Sequence, residues 1–221
     1  MQPNQGTNPI TSAVPTSQEV GADARKSLMD EYASKTSARI ISAADFESLK
    51  EGGGFHVVGV MGFSGQWAPA KLEADPALQA TAEAATVALT DHLKRLKKTY
   101  GDKLILSSGA TMEGVPKIIY DACEKEGITA MGVACAKAFT YSLGKMDYLI
   151  IEGEDWGAES PTFLRTSDEF IILGGGGQAK REAIAASAEG KTVSVFQGYG
   201  GSADQLTAAD LPGAVFVSSV H

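Results

Sequence analysis

This 221-residue chain is poor in cysteine, in histidine and in positive charge, and each shortage excludes a class of function. Two cysteines, Cys123 and Cys135, cannot build a disulfide framework or a four-thiolate zinc site. They read as reduced, buried thiols of a cytoplasmic protein. The histidines, His56, His92 and His221, are too far apart for ligand spacing, so no metal site is expected and each ring reads as structural or exposed. Lys and Arg number 19 against 27 Asp and Glu, a net charge of −8, which argues against a surface built to coat nucleic acid or an anionic membrane. No apolar run approaches the ~20 residues of a membrane span. Residues Met1 to Val20 lack the basic start and apolar core of a secretory signal. The expected location is the cytoplasm.

Glycine is what the chain has in excess. Average usage would supply about 15 in this length, so of the 25 present about ten need an explanation. The length suits one α/β domain, with or without a tail. Residues 1 to about 40 are dominated by Gln, Asn, Ser, Thr, Pro and Ala and have few large apolar side chains, which reads as a flexible polar tail. A short amphipathic turn around Leu28 to Tyr32 is placed to dock it. Residues 41–221 read as one domain.

Within that domain apolar strands alternate with helices. Ser42 caps a short helix that ends in Gly52-Gly53-Gly54. Strands are expected at Phe55–Gly62, Lys103–Ser108, Ile128–Ala136, Asp147–Ile151, Glu169–Leu173 and Thr192–Gln197, with a short last one at Ala214–Val217. Asp75-Pro76 opens a helix whose Leu78, Ala82, Ala85, Leu89, Leu93 and Leu96 form one stripe. A second helix runs from Val115 to its natural C-cap, Gly127. Others are expected at Ser160–Arg165, Gly177–Glu189 and Leu206–Leu211. Such alternation predicts an α/β fold with a doubly wound, mainly parallel sheet, a Rossmann-like three-layer sandwich.

In open sheets of this kind ligands bind beyond the carboxyl ends of the strands. The surplus glycines sit there: Gly62 and Gly65 after the first expected strand, Gly109 and Gly114 after the second, Gly174 to Gly177 after the fifth. Glycine lets backbone approach a phosphate and lets helix-start N–H groups face an anion. A cradle for a phosphorylated ligand therefore has Gly62, Phe63, Ser64, Gly65, Ser108, Gly109, Ala110, Thr111, Gly114, Gly174, Gly175, Gly176, Gly177 and Gln178 as its candidate residues. Sharper motifs fail. Gly109 to Gly114 is followed by Val115 and not lysine, so there is no Walker A loop. The first loop, Gly62-Phe63-Ser64-Gly65, is not a dinucleotide fingerprint, and Gln66 denies Ser64 a nucleophile elbow.

Three stretches together resemble the SLOG superfamily of Rossmann-like domains. They are the Gly62-Phe63-Ser64 turn, the run Ser107-Ser108-Gly109-Ala110-Thr111-x-x-Gly114-Val115, and Asp168 to Gly177 followed by Glu182. That superfamily includes Lonely Guy phosphoribohydrolases (long described as lysine decarboxylases), molybdenum-cofactor carriers and nucleotide sensors. Fixing the register on Asp168 and Phe170 puts Glu182 on the family's signature acid; a shift by one would put Arg181 there. The first register preserves strand polarity. Gly174 then stands where the family has proline, and Gln178 and Ala179 where it has glycine and threonine. The resemblance implies a bound nucleotide or molybdenum cofactor, none being strictly required, and a homodimer. For the hydrolase members it implies a carboxylate and an arginine that cleave the N-glycosidic bond of a nucleoside 5′-monophosphate, with Glu182 and Arg165 as the candidates. The leading expectation is binding without established catalysis; a phosphoribohydrolase and a carrier or sensor module are the alternatives.

Overall fold

The computed structural model describes residues 30–218. The structure is an eight-stranded sheet of order β1-β5-β4-β3-β2-β6-β7-β8, parallel throughout. The strands are β1 (Arg39–Ile40), β2 (His56–Gly62), β3 (Leu104–Ser108), β4 (Thr129–Ala134), β5 (Tyr148–Ile151), β6 (Glu169–Leu173), β7 (Thr192–Gln197) and β8 (Val215–Ser218). Helices are α1 (30–35), α2 (Ala43–Gly53), α3 (Pro69–Ala74), α4 (Pro76–Tyr100), α5 (Gly114–Glu126), α6 (Ser160–Thr166) and α7 (Gly177–Ala188).

Both sheet faces are covered, which is why the central strands carry apolar residues at consecutive positions and not at alternate ones. Val58, Val60, Leu104, Leu106, Ile171 and Leu173 pack with Leu89 and Leu93 of α4 and Val115 and Ile119 of α5. Val57, Met61, Ile105, Phe170 and Ile172 face the other way, onto Phe46 of α2, Phe163 of α6 and Ala179, Ala183 and Ala186 of α7. Local chemistry sets the element ends. Asp75 accepts from the Ala77 and Leu78 N–H groups at 3.0 and 3.1 Å, ahead of Pro76 at the first helical position, a cap worth about 1 kcal/mol. Ser42 accepts from Asp45 N–H at 3.1 Å, and Gly127 closes α5 in the left-handed region at φ 62°.

Two aspartates set strand register by the same device. Asp168, just before β6, donates its N–H to Val57 O at 2.8 Å and takes Val57 N–H on Oδ2, also at 2.8 Å. Asp147, just before β5, does the same with Ala130, at 2.9 and 2.8 Å. Lys50 reaches Asp168 Oδ1 at 2.5 Å. Asp168 of the family-like signature is thus a clamp at the amino ends of the strands, remote from the glycine loops.

Two expectations are corrected. Residues 30–40, read as part of the tail, carry α1 and β1. Tyr32 of α1 is buried and stacks on Phe139 with centroids 3.8 Å apart, and β1 pairs with β5. The docking turn around Leu28 to Tyr32 is described only from residue 30, and residues 1–29 and 219–221 lie outside the described residues. The Leu206–Leu211 helix does not form. Leu206 is extended, at φ −81° and ψ 140°. A single turn follows, in which Asp210 Oδ2 accepts from Thr207 N–H at 2.9 Å and Thr207 Oγ1 at 2.7 Å. Thr and Asp side chains that bond nearby backbone compete with helix, and Pro212-Gly213 ends the segment; both leucines are buried all the same.

Candidate ligand-binding cleft

The chain runs from β2 to β3 on one side of β2 and later brings β6 to the other side, so the strand order reverses there. A cleft opens beyond the carboxyl ends of these strands, of about 180 Å³, where open α/β sheets bind ligands. Gly62, Ser64, Ser108, Gly109, Ala110, Thr111, Gly176, Gln178 and Glu182 line it together. The loops are tied to one another. Val115 N–H donates to Phe63 O at 2.7 Å, and the Ser64 and Thr111 hydroxyls lie 3.3 Å apart. Met112 N–H and Gly144 N–H bond Ser142 O and Ala110 O, bracing the second loop from behind. Ser202 N–H and Ala203 N–H donate to Gly175 O and Gly174 O, both at 2.9 Å, and Ser202 Oγ donates to Gly176 O at 2.8 Å. A cradle held this way is organised before any ligand arrives.

Several expected residues support the cradle and do not line it. At Gly114, φ is 58° and a Cβ would stand 2.2 Å from Phe63 O, so only glycine lets the first and second loops meet. Gly175, at φ 85°, would push a Cβ to 2.7 Å from that of Ala179. Phe63 packs against Trp67, with centroids 5.3 Å apart, and fills the space beside Gly174. Gly65 starts a short 3-10 turn, and Gly177 opens α7.

Helix α7 starts at the cleft with Gly176 as its N-cap and no side chain capping it. The first-turn N–H groups of a helix lack intrahelical acceptors, and with the helix dipole they favour an anion. One turn on stands Glu182, 8% exposed. Its Oε1 accepts from Ser160 Oγ at 2.5 Å and from Gln178 Nε2 at 3.0 Å. The same Gln178 Nε2 donates to Glu159 Oε1 at 3.0 Å, and Glu159 Oε2 takes Gly157 N–H at 2.9 Å. Burial pushes the Glu182 carboxyl above its ordinary range, the Ser160 and Gln178 bonds pull it back, and Glu159 adds to the rise.

The Glu182–Arg165 pair is not brought together. Arg165 sits at the carboxyl end of α6, is exposed and bonds Glu47 Oε1 at 2.6 Å. Helix α6 runs back from the cleft toward the amino ends of the strands, so its last turn faces the wrong edge. Its N-terminal flank, Glu159 and Ser160, is what reaches the cleft, and sequence reasoning missed both. Pro161 marks the helix start and carried the signal, because residues just before it belong to the glycine-loop edge. Trp156, 46% exposed, also lines the cleft and lies beside Tyr141 at 5.9 Å between centroids. Among the described residues no Lys or Arg lines it, nor does either cysteine; burial pushes the Cys123 thiol up to about 12. Among the described residues no group of three or more His, Cys, Asp or Glu could hold a metal ion, and no helix is long and apolar enough to cross a membrane.

No family model matches the sequence, and no curated protein does. Solved structures do match. The X-ray structure of TM1055, a structural-genomics target, is 19% identical, with a TM-score of 0.51 over 75% of this chain and 92% of that one. The molybdenum cofactor binding protein of the phototrophic bacterium Rippkaea orientalis is 18% identical, with a TM-score of 0.52 over 75% and 90%. The chain shares their fold. It is the Rossmann-like sandwich expected from the strand and helix pattern.

Proposed function

We propose that the protein binds a small phosphorylated ligand, a nucleotide or a nucleotide-like cofactor, in this cleft. The anion would rest on the N–H groups that start α7, with the Gly62–Ser64 and Ser108–Thr111 loops around it. The observation that carries this reading is an uncapped twelve-residue helix opening from a glycine run at the point where the sheet order reverses. The cofactor named for the Rippkaea orientalis protein supports the same class of ligand. The residues fit such a group: glycine-loop N–H groups for phosphate at one end, carboxylate acceptors for donor groups at the other. A molybdenum cofactor would be held by these same loops, its phosphate at α7, and would bring its own redox metal chemistry.

Binding is favoured over N-glycosidic hydrolysis. Glu182 lines the cleft, but Arg165 is at the opposite edge and among the described residues no Lys or Arg lines the cleft to hold a phosphate through catalysis. A carrier or sensor role is compatible with a preorganised cradle that lacks a completed catalytic pair. The homodimer that the resemblance implies would use α4, where Val87 is 63% exposed. Isothermal titration with nucleoside 5′-monophosphates, combined with chromatography for released base, tests the proposal. Saturable binding without base release supports it. Silence toward every monophosphate and toward inorganic phosphate contradicts it, and base release lost in Glu182→Ala would restore the hydrolase.

A further inference from the structure

Helix α7 begins with an uncompensated positive end. Gly176 offers no capping side chain, and no Asp or Glu stands in the first turn, where the N–H groups lack intrahelical acceptors. Arg181 adds a further positive charge at the same place. It lies four positions on from Gly177 and so shares that face of the helix, and helical side chains lean back toward the N-terminus. The guanidinium does so here: a Cβ on Gly177 would stand 3.4 Å from Arg181 Nη1. Glycine at the first helical position leaves the guanidinium room to lie against the α7 start.

Arg165 is held by Glu47. Arg181, by contrast, is exposed and has no carboxylate within ion-pair reach among the described residues. A cation beside the positive end of a helix is disfavoured. An anion seated there relieves it and accepts from the free N–H groups of α7 as well, so the bare helix start and the unpaired guanidinium call for the same ligand group. The cleft lining holds no Lys or Arg among the described residues; Arg181 stands outside that lining, on the rim. We infer that Arg181 closes over the phosphate at the α7 start, its guanidinium donating to oxygens that the backbone N–H groups leave free. This rests on the reading of the cleft as a site for a phosphorylated ligand. It makes Arg181 a ligand-binding residue and supplies the positive charge that the lining lacks.

The experiment measures inorganic phosphate and AMP by isothermal titration at low salt on wild-type protein, Arg181→Gln, Arg181→Lys and Lys180→Gln, with the melting temperature of each protein without ligand. Lys180 is the control, because it belongs to the same helix and its charge acts on Asp210. Arg181→Gln should weaken both ligands about tenfold, as the loss of charge-assisted hydrogen bonds does. Arg181→Lys should recover part of that affinity, since the charge returns without the planar fork. Lys180→Gln should stay within about twofold of the wild type. Without ligand, Arg181→Gln should melt no lower than the wild type, because it removes a cation from the positive end of a helix. Added salt should weaken AMP binding less in Arg181→Gln than in the wild type. Undiminished affinity in Arg181→Gln, or equal losses in Arg181→Gln and Lys180→Gln, would overturn the role of Arg181 and leave the α7 seat standing. A fall in affinity matched by a fall in the ligand-free melting temperature would make Arg181 a structural support and overturn it equally. Failure of the wild type to bind either phosphate or AMP would overturn the seat as well.

Discussion

Glu159 and Glu182 share a single donor: Gln178 Nε2 lies 3.0 Å from an oxygen of each. Helix α6 contributes the first acid from its N-terminal flank, and α7 contributes the other acid and the amide between them. Replacing Gln178 by Leu keeps the volume and removes that donor. We expect a loss of about 1–3 kcal/mol, the usual cost of stranding buried polar groups, measured by urea unfolding.

The pH dependence of stability follows from Glu182. Its carboxyl is held above the ordinary range, chiefly by burial. The native state therefore keeps a proton that the unfolded chain has already released. The associated stability is fully present below the unfolded value and is lost as pH rises through the raised native one. Glu182→Gln does not titrate. Its melting temperature should gain on that of the wild type as pH rises from about 4 to about 8. A gap that is constant across this range would show that Glu182 titrates normally.

The loops tolerate no side chain where they touch. Gly114→Ala places a methyl 2.2 Å from Phe63 O in a left-handed backbone. A destabilisation of about 2 kcal/mol or more is expected from strain and clash together. Because α5 starts at this glycine, ligand affinity should fall with it, seen as a smaller ligand-induced rise in melting temperature.

Arg165 and Asp168 separate binding from support. Arg165→Ala breaks one exposed pair with Glu47 and should change stability by less than about 1 kcal/mol, with ligand affinity unaltered. Asp168→Ala strands Val57 N–H and the Lys50 ammonium, for a loss of about 1–3 kcal/mol, again without effect on affinity. Reduced affinity in Arg165→Ala would return the arginine to the site.

Most of the frame was legible because each element announces itself locally. Asp75-Pro76 and Gly127 mark helix ends by chemistry that tertiary contacts did not override, and the strands from His56 to Gln197 are apolar enough to be buried on both faces. The unread parts depend on partners distant in sequence. The two-residue strand Arg39–Ile40 exists because Tyr148 and Leu149 offer an edge, and Tyr32 is ordered by Phe139, more than a hundred positions away. At Leu206–Leu211 the apolar spacing of a helix was present, but Thr207 and Asp210 bonded each other first. The glycine cradle was readable because all three loops follow strands, which assigns them to one edge. Glu159 was not, because its place depends on the direction of α6, which presents its N-terminal flank to the cleft and carries Arg165 to Glu47.

The central claim, an anion seated at the start of α7, is tested most directly by amide chemical shifts. Titrating GMP into isotopically labelled protein should move the N–H signals of Gly176, Gly177, Gln178 and Ala179 most, followed by those of Gly109 to Thr111, while Asp168 and Glu47 stay still. Largest shifts at the amino ends of the strands or in the groove between α3, α4 and α5, or no shifts with GMP or inorganic phosphate, would contradict it.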